Sequence, residues 1–341
     1  MYVGLMIIPI EFQVIWKYFY SMLSSGEHGT LYQLRNLINR TNVVKDPKSD
    51  FNACNDFFIL IVTCYIIVAA LSMLKMKSTN DSPSEDVLPN AQQLWMQSAD
   101  ERKAVLNKVS QQVVDSFIDF SFYQVWHRND TDKVADYGKQ LLGLGCFYLE
   151  FTDAIHEGDG QRVLRCWRYL LPIFLGSGRT NYSCEVLNML FQASYALSPR
   201  LSAELLWSRF INVHGHPGKN IPADLHMEHL NRLIKEAIRN LGANKTKNAI
   251  ARIGRAIGTI APVLQHFDQE NSVTSISGAH RIASFEKDRN IVVSELVKSE
   301  VFSTVPNRKH NTFPHPRHVL HARKRDELLT WMIGRLQKHH V

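Results

Sequence analysis

The feature that most constrains the fold is an apolar run of 18 residues, Phe57 to Leu74. Thr63 and Ser72 are its only clearly polar members. A run of this length reaches the lower limit for a transmembrane helix, and it is also typical of a helix that a helical domain buries on all sides. The sequence shows no second run of this kind. We therefore expect a buried central helix, and a single-pass membrane anchor at residues 57–74 is the alternative.

The composition is typical of a globular protein and is compatible with an anionic partner. The 341-residue chain is 45% hydrophobic, which is enough to build a substantial core. Its net charge of +7 fits binding to DNA, RNA or another polyanion without requiring it. No P-loop, GxGxxG, GxSxG, HExxH or CxxC pattern occurs, which removes the enzyme and metal-protein classes that depend on those motifs.

The cysteines indicate a reducing compartment. They are odd in number, widely spaced and set among apolar residues, so buried thiols account for them better than disulfides do. The first 23 residues lack the basic start and the small-residue cleavage site of a signal peptide. We therefore expect an intracellular protein, nuclear or cytoplasmic, with the membrane anchor as the alternative. The cysteines are Cys54, Cys64, Cys146, Cys166 and Cys184.

Helical periodicity dominates the chain and predicts a mainly α, multi-helix fold. A strand is considered only at residues 3–10. The expected parts are an N-terminal helical part (1–77) with the apolar helix, a polar linker (78–97), a main helical domain (98–267), and an irregular, basic, His-rich arm (268–341) that ends in a helix. The predicted helices after the linker span about 101–126, 135–155, 162–175, 181–197, 199–213, 222–241, 245–258 and 325–339.

The predicted helix from about Pro222 to Leu241 carries the pattern that points most directly to chemistry. Glu228, Asn231 and Lys235 follow each other at i, i+3 and i+7, so they lie within about 60° of one another and away from the apolar stripe. A carboxylate, an amide and a lysine on one stripe suit a divalent metal and a phosphate chain. A solvated polar face is the alternative interpretation.

The metal-ligand candidates in this helix are Asp224, His226 and Glu228. A two-metal nuclease needs at least two, usually three, convergent carboxylates, and this helix supplies only one on the stripe. The histidines near it, at 214, 216, 226 and 229, lack the paired spacing typical of zinc sites. We therefore predict no bound metal or cofactor, with Mg²⁺ only if a complete site is supplied elsewhere.

Basic side chains suggest a surface for a phosphate backbone. One group follows the helix just described, and a second lies among histidines near the C-terminus. The alternatives for the C-terminal group are a solvated tail and a nuclear-localisation patch. The residues predicted to contact DNA or RNA are Asn231, Lys235, Lys245, Lys247, Arg252, Arg323, Lys324 and Arg325.

Several stretches together resemble domain-of-unknown-function family 6589, which occurs in multicopy, transposon-like proteins. The resemblance covers roughly residues 13–270. It implies a transposon-derived protein, and it brings no established activity with it. The stretches that carry it are Arg165–Pro172, Gly178–Tyr182, Leu205–Asn212, Gly218–Arg232 and Leu241–Lys245.

The chain is also similar, more distantly, to transposases and integrases of the ribonuclease H-like superfamily. Their third catalytic acid is a Glu on a helix, often followed by Asn and Lys at this spacing, and many carry a helical insertion before it. The resemblance implies that residues 13–213 are that insertion and that Glu228 is the retained acid. The superfamily also needs two upstream Asp residues, and nothing before Val14 offers them. We therefore expect an incomplete, transposase-like fragment without nuclease activity.

Three functions follow from these observations. The first is a transposon-derived, catalytically incomplete protein that binds nucleic acid. The second is a helical protein-interaction module without a DNA role, and the third is a single-pass membrane protein. Independently of function, we expect Trp167, Trp207 and Leu233 to be buried in the core.

Overall fold

The computed structural model describes residues 7–20, 29–88, 91–118, 132–213, 215–243, 245–270, 285–309 and 325–339. These residues form two compact units, and each is described by itself. The large unit contains the described residues of 7–152, 162–192 and 284–341, and the small unit contains those of 153–161 and 193–283. The mainly α fold is confirmed. The four parts expected along the sequence stay a prediction.

Helices build the large unit. In chain order they are α1 (Ile7–Tyr20), α2 (Leu31–Leu37), α3 (Phe51–Met73), a 3₁₀-helix (Ala91–Met96), α4 (Ala99–Phe117), α5 (Lys133–His156), α6 (Gly160–Gly176), α7 (Thr180–Phe191), α11 (Phe285–Lys298) and α12 (Arg325–His339). The last four residues of α5 and the first two of α6 are assigned to the small unit.

The small unit contains short elements and two longer helices. They are a π-helical turn (Gln192–Ala196, whose first residue is assigned to the large unit), α8 (Pro199–Trp207), β1 (Phe210–Ile211), β2 (Ile221–Pro222), α9 (Ala223–Asn240) and α10 (Lys247–Glu270). The two strands pair antiparallel, with Phe210 opposite Pro222 and Ile211 opposite Ile221.

Helix α3 is the centre of the large unit. It begins after Asp50, whose carboxylate accepts a hydrogen bond from the Ala53 N–H (3.1 Å) and so caps the helix. It packs against α4 and α11. The apolar run that dominates the sequence therefore lies within this helix. The buried residues of α3 are Cys54, Phe57, Phe58, Leu60, Ile61, Val62, Cys64, Tyr65, Val68, Ala69 and Leu71.

Among the helices in the described ranges, α3 is the one long and apolar enough to cross a membrane. Of its most apolar 18-residue window, 56% is buried inside the protein. Core helices of water-soluble proteins pass the same test of length and composition. The core helix and the membrane span are both compatible with these two properties, and each stays a prediction.

Aromatic side chains pack α1 against α3. The Phe12 ring stacks on Trp16 (centroids 5.4 Å apart) and meets Phe58 of α3 edge-on (5.7 Å). The Trp16 indole donates a hydrogen bond to the Lys45 carbonyl (3.2 Å). The strand considered at residues 3–10 is wrong for its described part, because residues 7–10 belong to α1. Rings at i, i+4 spacing, buried against α3, outweigh the β-branched residues that suggested a strand.

Helix α5 approaches α3 closely at a glycine. A Cβ placed on Gly145 would lie 2.5 Å from a methyl carbon of Val62, so no larger residue fits without movement. Nearby, the Tyr148 hydroxyl donates a hydrogen bond to the Asn55 side-chain oxygen (2.6 Å). Together these contacts fix how α5 rests on α3.

The irregular arm predicted for residues 268–341 is wrong at residues 285–298, which form α11. Its buried residues Val292, Val293 and Leu296 face the large unit, and α11 packs on α3 and α2. The spacing of these three buried residues alone gives a weak helical signal. The helix is stabilised by burial against α3, a segment more than 200 residues earlier in the chain.

A buried ion pair joins the turn after α11 to the start of α5. The Arg308 guanidinium lies 2.7 Å from the Asp132 carboxylate, which is 2% exposed. Asp132 also accepts hydrogen bonds from the N–H groups of Val305 (2.8 Å) and Ala135 (3.1 Å). Burial alone would raise the pKa of Asp132, but the Arg308 and backbone hydrogen bonds outweigh it and lower that pKa.

Of the three residues expected in the core, one is there. Trp167 is 1% exposed, which confirms the prediction. Trp207 is 53% exposed, so its predicted burial is wrong. In the short helix α8 the neighbouring Leu206 points inward instead, against the backbone of Gly160. Leu233 is only half-buried, because α9 is covered by α10 and the β1–β2 pair and has no fully buried residue.

The close approach at Gly145 predicts that alanine substitution affects stability differently at two glycines of α5. Gly145→Ala should lower the free energy of unfolding by about 1–3 kcal/mol, because the new methyl group collides with Val62. Gly143→Ala is the matched control, since its Cβ would meet nothing closer than 3.8 Å. That variant should be neutral or gain up to about 1 kcal/mol from helix propensity. Urea denaturation of both variants measures this, and equal effects would contradict the packing described.

The ion pair of Asp132 predicts a pH-dependent stability difference. At pH 7, Asp132→Asn should lower the free energy of unfolding by about 3 kcal/mol, because Arg308 loses its buried partner. A lowered carboxyl pKa stabilises the fold above the ordinary value of 3.8 and ceases to do so as the pH falls through the folded-state pKa. The gap between wild type and variant should therefore narrow below pH 3.8.

Denaturation from pH 7 to pH 3 measures that gap. Asp56→Asn serves as the control, because Asp56 is exposed on α3. It should stay within about 0.5 kcal/mol of wild type throughout. A gap for Asp132→Asn that is the same at every pH would mean that the carboxylate charge is not what stabilises the turn.

Candidate nucleic-acid interface

The β1–β2 pair holds the start of α9. The Ala223 N–H, the first of the helix, donates to the Arg209 carbonyl (2.7 Å). Ahead of β2, the Asn220 side chain donates to the His156 carbonyl (2.8 Å). Gly158, at φ +69°, comes close to the same Asn220 side chain. The N-terminus of α9 is thus attached at two points of the small unit.

Helix α9 matches its predicted range of about 222–241 to within one residue at each end. Pro222 occupies the N-cap position, and no side chain caps the helix. Asn220 bonds to His156, and Asp224 accepts a hydrogen bond from the Leu225 N–H (3.0 Å) instead. At the other end Gly242 has φ +57°, the left-handed conformation expected of a C′ glycine.

The stripe of Glu228, Asn231 and Lys235 lies on the exposed side of α9, as expected. None of the three forms a hydrogen bond or salt bridge within the described part of the chain. Their proposed role stays a prediction. The arrangement leaves all three side chains accessible to a ligand.

One polar arc of α9 is divided by charge. At about 100° per residue, six side chains share an arc of about 100° along a helix about 27 Å long. The acidic ones come first, in the N-terminal half, and the basic ones follow toward the C-terminus. The six are Asp224, Glu228, Asn231, Arg232, Lys235 and Arg239.

Asp224 is the perturbed group of this arc. It is half-buried, and one of its carboxylate oxygens has no hydrogen-bond partner within the described residues. Burial raises its pKa, and the nearby charge of Glu228 raises it further, whereas Arg209 acts in the opposite direction. A carboxylate whose charged form is disfavoured is a poorer metal ligand.

No metal centre is assembled in the described ranges, where no three His, Cys, Asp or Glu side chains come together suitably. Asp224 and Glu228 lie one helical turn apart. The third candidate, His226, is half-buried on the same helix, but its position is about 160° around the axis from Glu228. The three candidates therefore do not converge on one point.

The basic residues of α9 and α10 are exposed. From residue 223 to residue 259 the chain has seven Lys and Arg and three Asp and Glu, a net charge of +4. The two helices pack against each other. Within the described ranges, none of the seven basic side chains forms a salt bridge. They are Arg232, Lys235, Arg239, Lys245, Lys247, Arg252 and Arg255.

Arg232 and Arg239 are not among the nucleic-acid contacts predicted from the sequence. Their spacing to Lys235, at three and four residues, was the signal that could have identified them. Of the other predicted contacts, Arg323 and Lys324 lie outside the described residues. Arg325 begins α12, and its side chain is likewise outside them.

Comparison with known proteins identifies one relationship. The model of a family described as "Family of unknown function (DUF6589)" matches residues 12–280. No curated protein and no solved structure matches the chain.

Proposed function

This chain belongs to the family of unknown function DUF6589, and we propose that it is a transposon-derived, transposase-like protein that binds nucleic acid and lacks a complete catalytic site. The contact surface in this proposal is the basic surface of α9, α10 and the turn between them, defined by the seven Lys and Arg residues just described, and we call it the α9–α10 surface. We place the protein inside the cell, in the nucleus or cytoplasm. Five free cysteines are compatible with that location.

The observation that carries the proposal is the exposure of seven basic side chains on α9, on α10 and in the turn between them, none of which has a salt-bridge partner among the described residues. A cation already engaged in a salt bridge gives up that partner when it binds phosphate, and these side chains have none to give up among the described residues. Each phosphate that they neutralise releases condensed counterions, which favours binding without regard to base sequence. The surface therefore suits the backbone of DNA or RNA.

The division of charge along α9 determines which half of the helix attracts phosphate. Phosphates are attracted to Arg232, Lys235 and Arg239 in the C-terminal half of the helix. They are repelled at Glu228 unless a metal ion lies between. In this proposal Glu228 is a retained acid of an ancestral site, and Asn231 lies between the two charge groups.

Charge reversal on α10 should weaken nucleic-acid binding. Lys247→Glu/Arg252→Glu removes two cations and adds two anions, which takes the net charge from +7 to +3. Affinity for a duplex should fall at least about tenfold at low salt, and the slope of log affinity against log salt should become shallower by about 2. Gel shifts titrated with salt measure both quantities.

The matched control is Lys103→Glu/Lys108→Glu on α4. Both lysines are exposed, and the net charge changes by the same amount. Equal losses in the two variants would mean that only net charge matters and would overturn the α9–α10 surface. Absence of wild-type binding at low salt, or binding without a salt slope, would overturn nucleic-acid binding itself.

The incomplete site predicts no metal-dependent cleavage. One stripe carboxylate cannot hold two Mg²⁺ ions, and Asp224 is disfavoured in its charged form. Wild-type protein with labelled DNA and Mg²⁺ or Mn²⁺ should give no cleavage or strand transfer above background. Glu228→Ala should leave that background unchanged. Activity that Glu228→Ala abolishes and Glu236→Ala retains would contradict the proposal, because Glu236 is an equally exposed acid of the same helix.

A further inference from the structure

Helix α6 carries an exposed group of two arginines and a tyrosine that the proposed function does not use. Arg165, Arg168 and Tyr169 are spaced i, i+3 and i+4, so they are neighbours on one face of the helix. All three are exposed. They lie in the stretch Arg165–Pro172 that carries part of the family resemblance, and we call them the α6 triad.

The opposite face of α6 is firmly packed, so the triad has a rigid base. Trp167, Leu170 and Leu171 are buried in the large unit. A helix held in this way keeps the Cβ atoms of the triad about 5–6 Å apart. Little backbone ordering is left to oppose binding by these residues.

The two guanidinium groups of the triad are available. Glu150 of α5 forms a two-pronged salt bridge with Arg162 of α6 (2.9 and 2.6 Å) and so is already engaged. Neither Arg165 nor Arg168 forms a salt bridge within the described ranges. Their charge is therefore directed to solvent or to a ligand.

A neighbouring aromatic ring orients the tyrosine of the triad. Tyr169 is 47% exposed, and its ring meets the Phe147 ring of α5 edge-on, with centroids 6.1 Å apart. Such a contact fixes the orientation of an aromatic side chain while leaving much of the ring accessible. An exposed, pre-oriented ring beside two arginines can stack with another planar group.

We propose that the α6 triad binds single-stranded nucleic acid, with Tyr169 stacking on a base while Arg165 and Arg168 contact the adjoining phosphates. The inference rests on the proposed function for the class of ligand, and it specifies the strand state. A duplex presents phosphates but hides the faces of its bases, so it cannot use the ring. An acidic peptide offers carboxylates to the arginines and nothing that requires the ring. A single strand satisfies both parts of the triad.

The test uses the full chain with a fluorescent oligo(dT) strand, and with a labelled duplex, in anisotropy titrations at fixed salt. Tyr169→Ala should weaken binding to the single strand about fivefold or more and leave duplex affinity unchanged. Tyr169→Phe, which retains the ring, should bind the strand like wild type. Arg165→Glu/Arg168→Glu should weaken strand binding more than the equally charged Lys103→Glu/Lys108→Glu control. Thermal melts confirm that each variant is folded.

The outcomes separate this inference from the proposed function. If Tyr169→Ala binds the strand like wild type, or if Tyr169→Phe loses as much as Tyr169→Ala, stacking by the triad is overturned. If only Lys247→Glu/Arg252→Glu weakens binding, the α9–α10 surface is supported and binding by the triad is overturned. If only the triad variants weaken binding, binding by the triad is supported and the α9–α10 surface is overturned. If the wild-type protein binds neither the single strand nor the duplex, both the α6 triad and the α9–α10 surface are overturned.

Discussion

The large unit depends on covering helix α3. A 23-residue helix that is apolar around most of its circumference cannot be left exposed to water. The covering elements come from distant parts of the chain: α1 brings aromatic rings, α5 approaches through Gly145, and α11 packs from the C-terminal side. The buried pair of Asp132 and Arg308 then attaches the turn after α11 to the start of α5. Each of these features follows from the need to surround one helix.

Local signals allowed much of the helical structure to be predicted. Ser98 and Ser198 cap their helices by accepting hydrogen bonds from the N–H groups of Glu101 and Leu201, and Gly242 has the positive φ typical of a glycine that follows a helix. Predictions failed where burial is supplied by remote partners. Helix α11 exists because α3 covers it, and nothing near α11 in sequence reveals that. The side of α8 that faces inward depends likewise on Gly160, which admits Leu206 and leaves Trp207 outside.

For the candidate surfaces too, features set by local helix geometry were predictable and features that depend on remote contacts were not. The exposure of Glu228, Asn231 and Lys235 was predictable, because their angle to the apolar stripe follows from helix geometry alone. The pairing of Arg162 with Glu150, twelve residues away, was not predictable from the sequence, and neither was the absence of salt bridges at Arg165 and Arg168 within the described residues. The proposed surfaces consequently differ in kind. The α9–α10 surface is defined by accumulated charge, whereas the α6 triad is defined by a ring with a fixed orientation.

The order of elements along the chain has a consequence for synthesis. Helix α11, which packs on α3, begins about 210 residues after α3 ends. At the usual 5–20 residues per second, a ribosome needs roughly 10–40 s to make that interval. Throughout it, the most apolar segment of the nascent chain lacks one of its covering helices. Recognition by chaperones, or by the machinery that inserts membrane proteins, would therefore compete with folding during this interval.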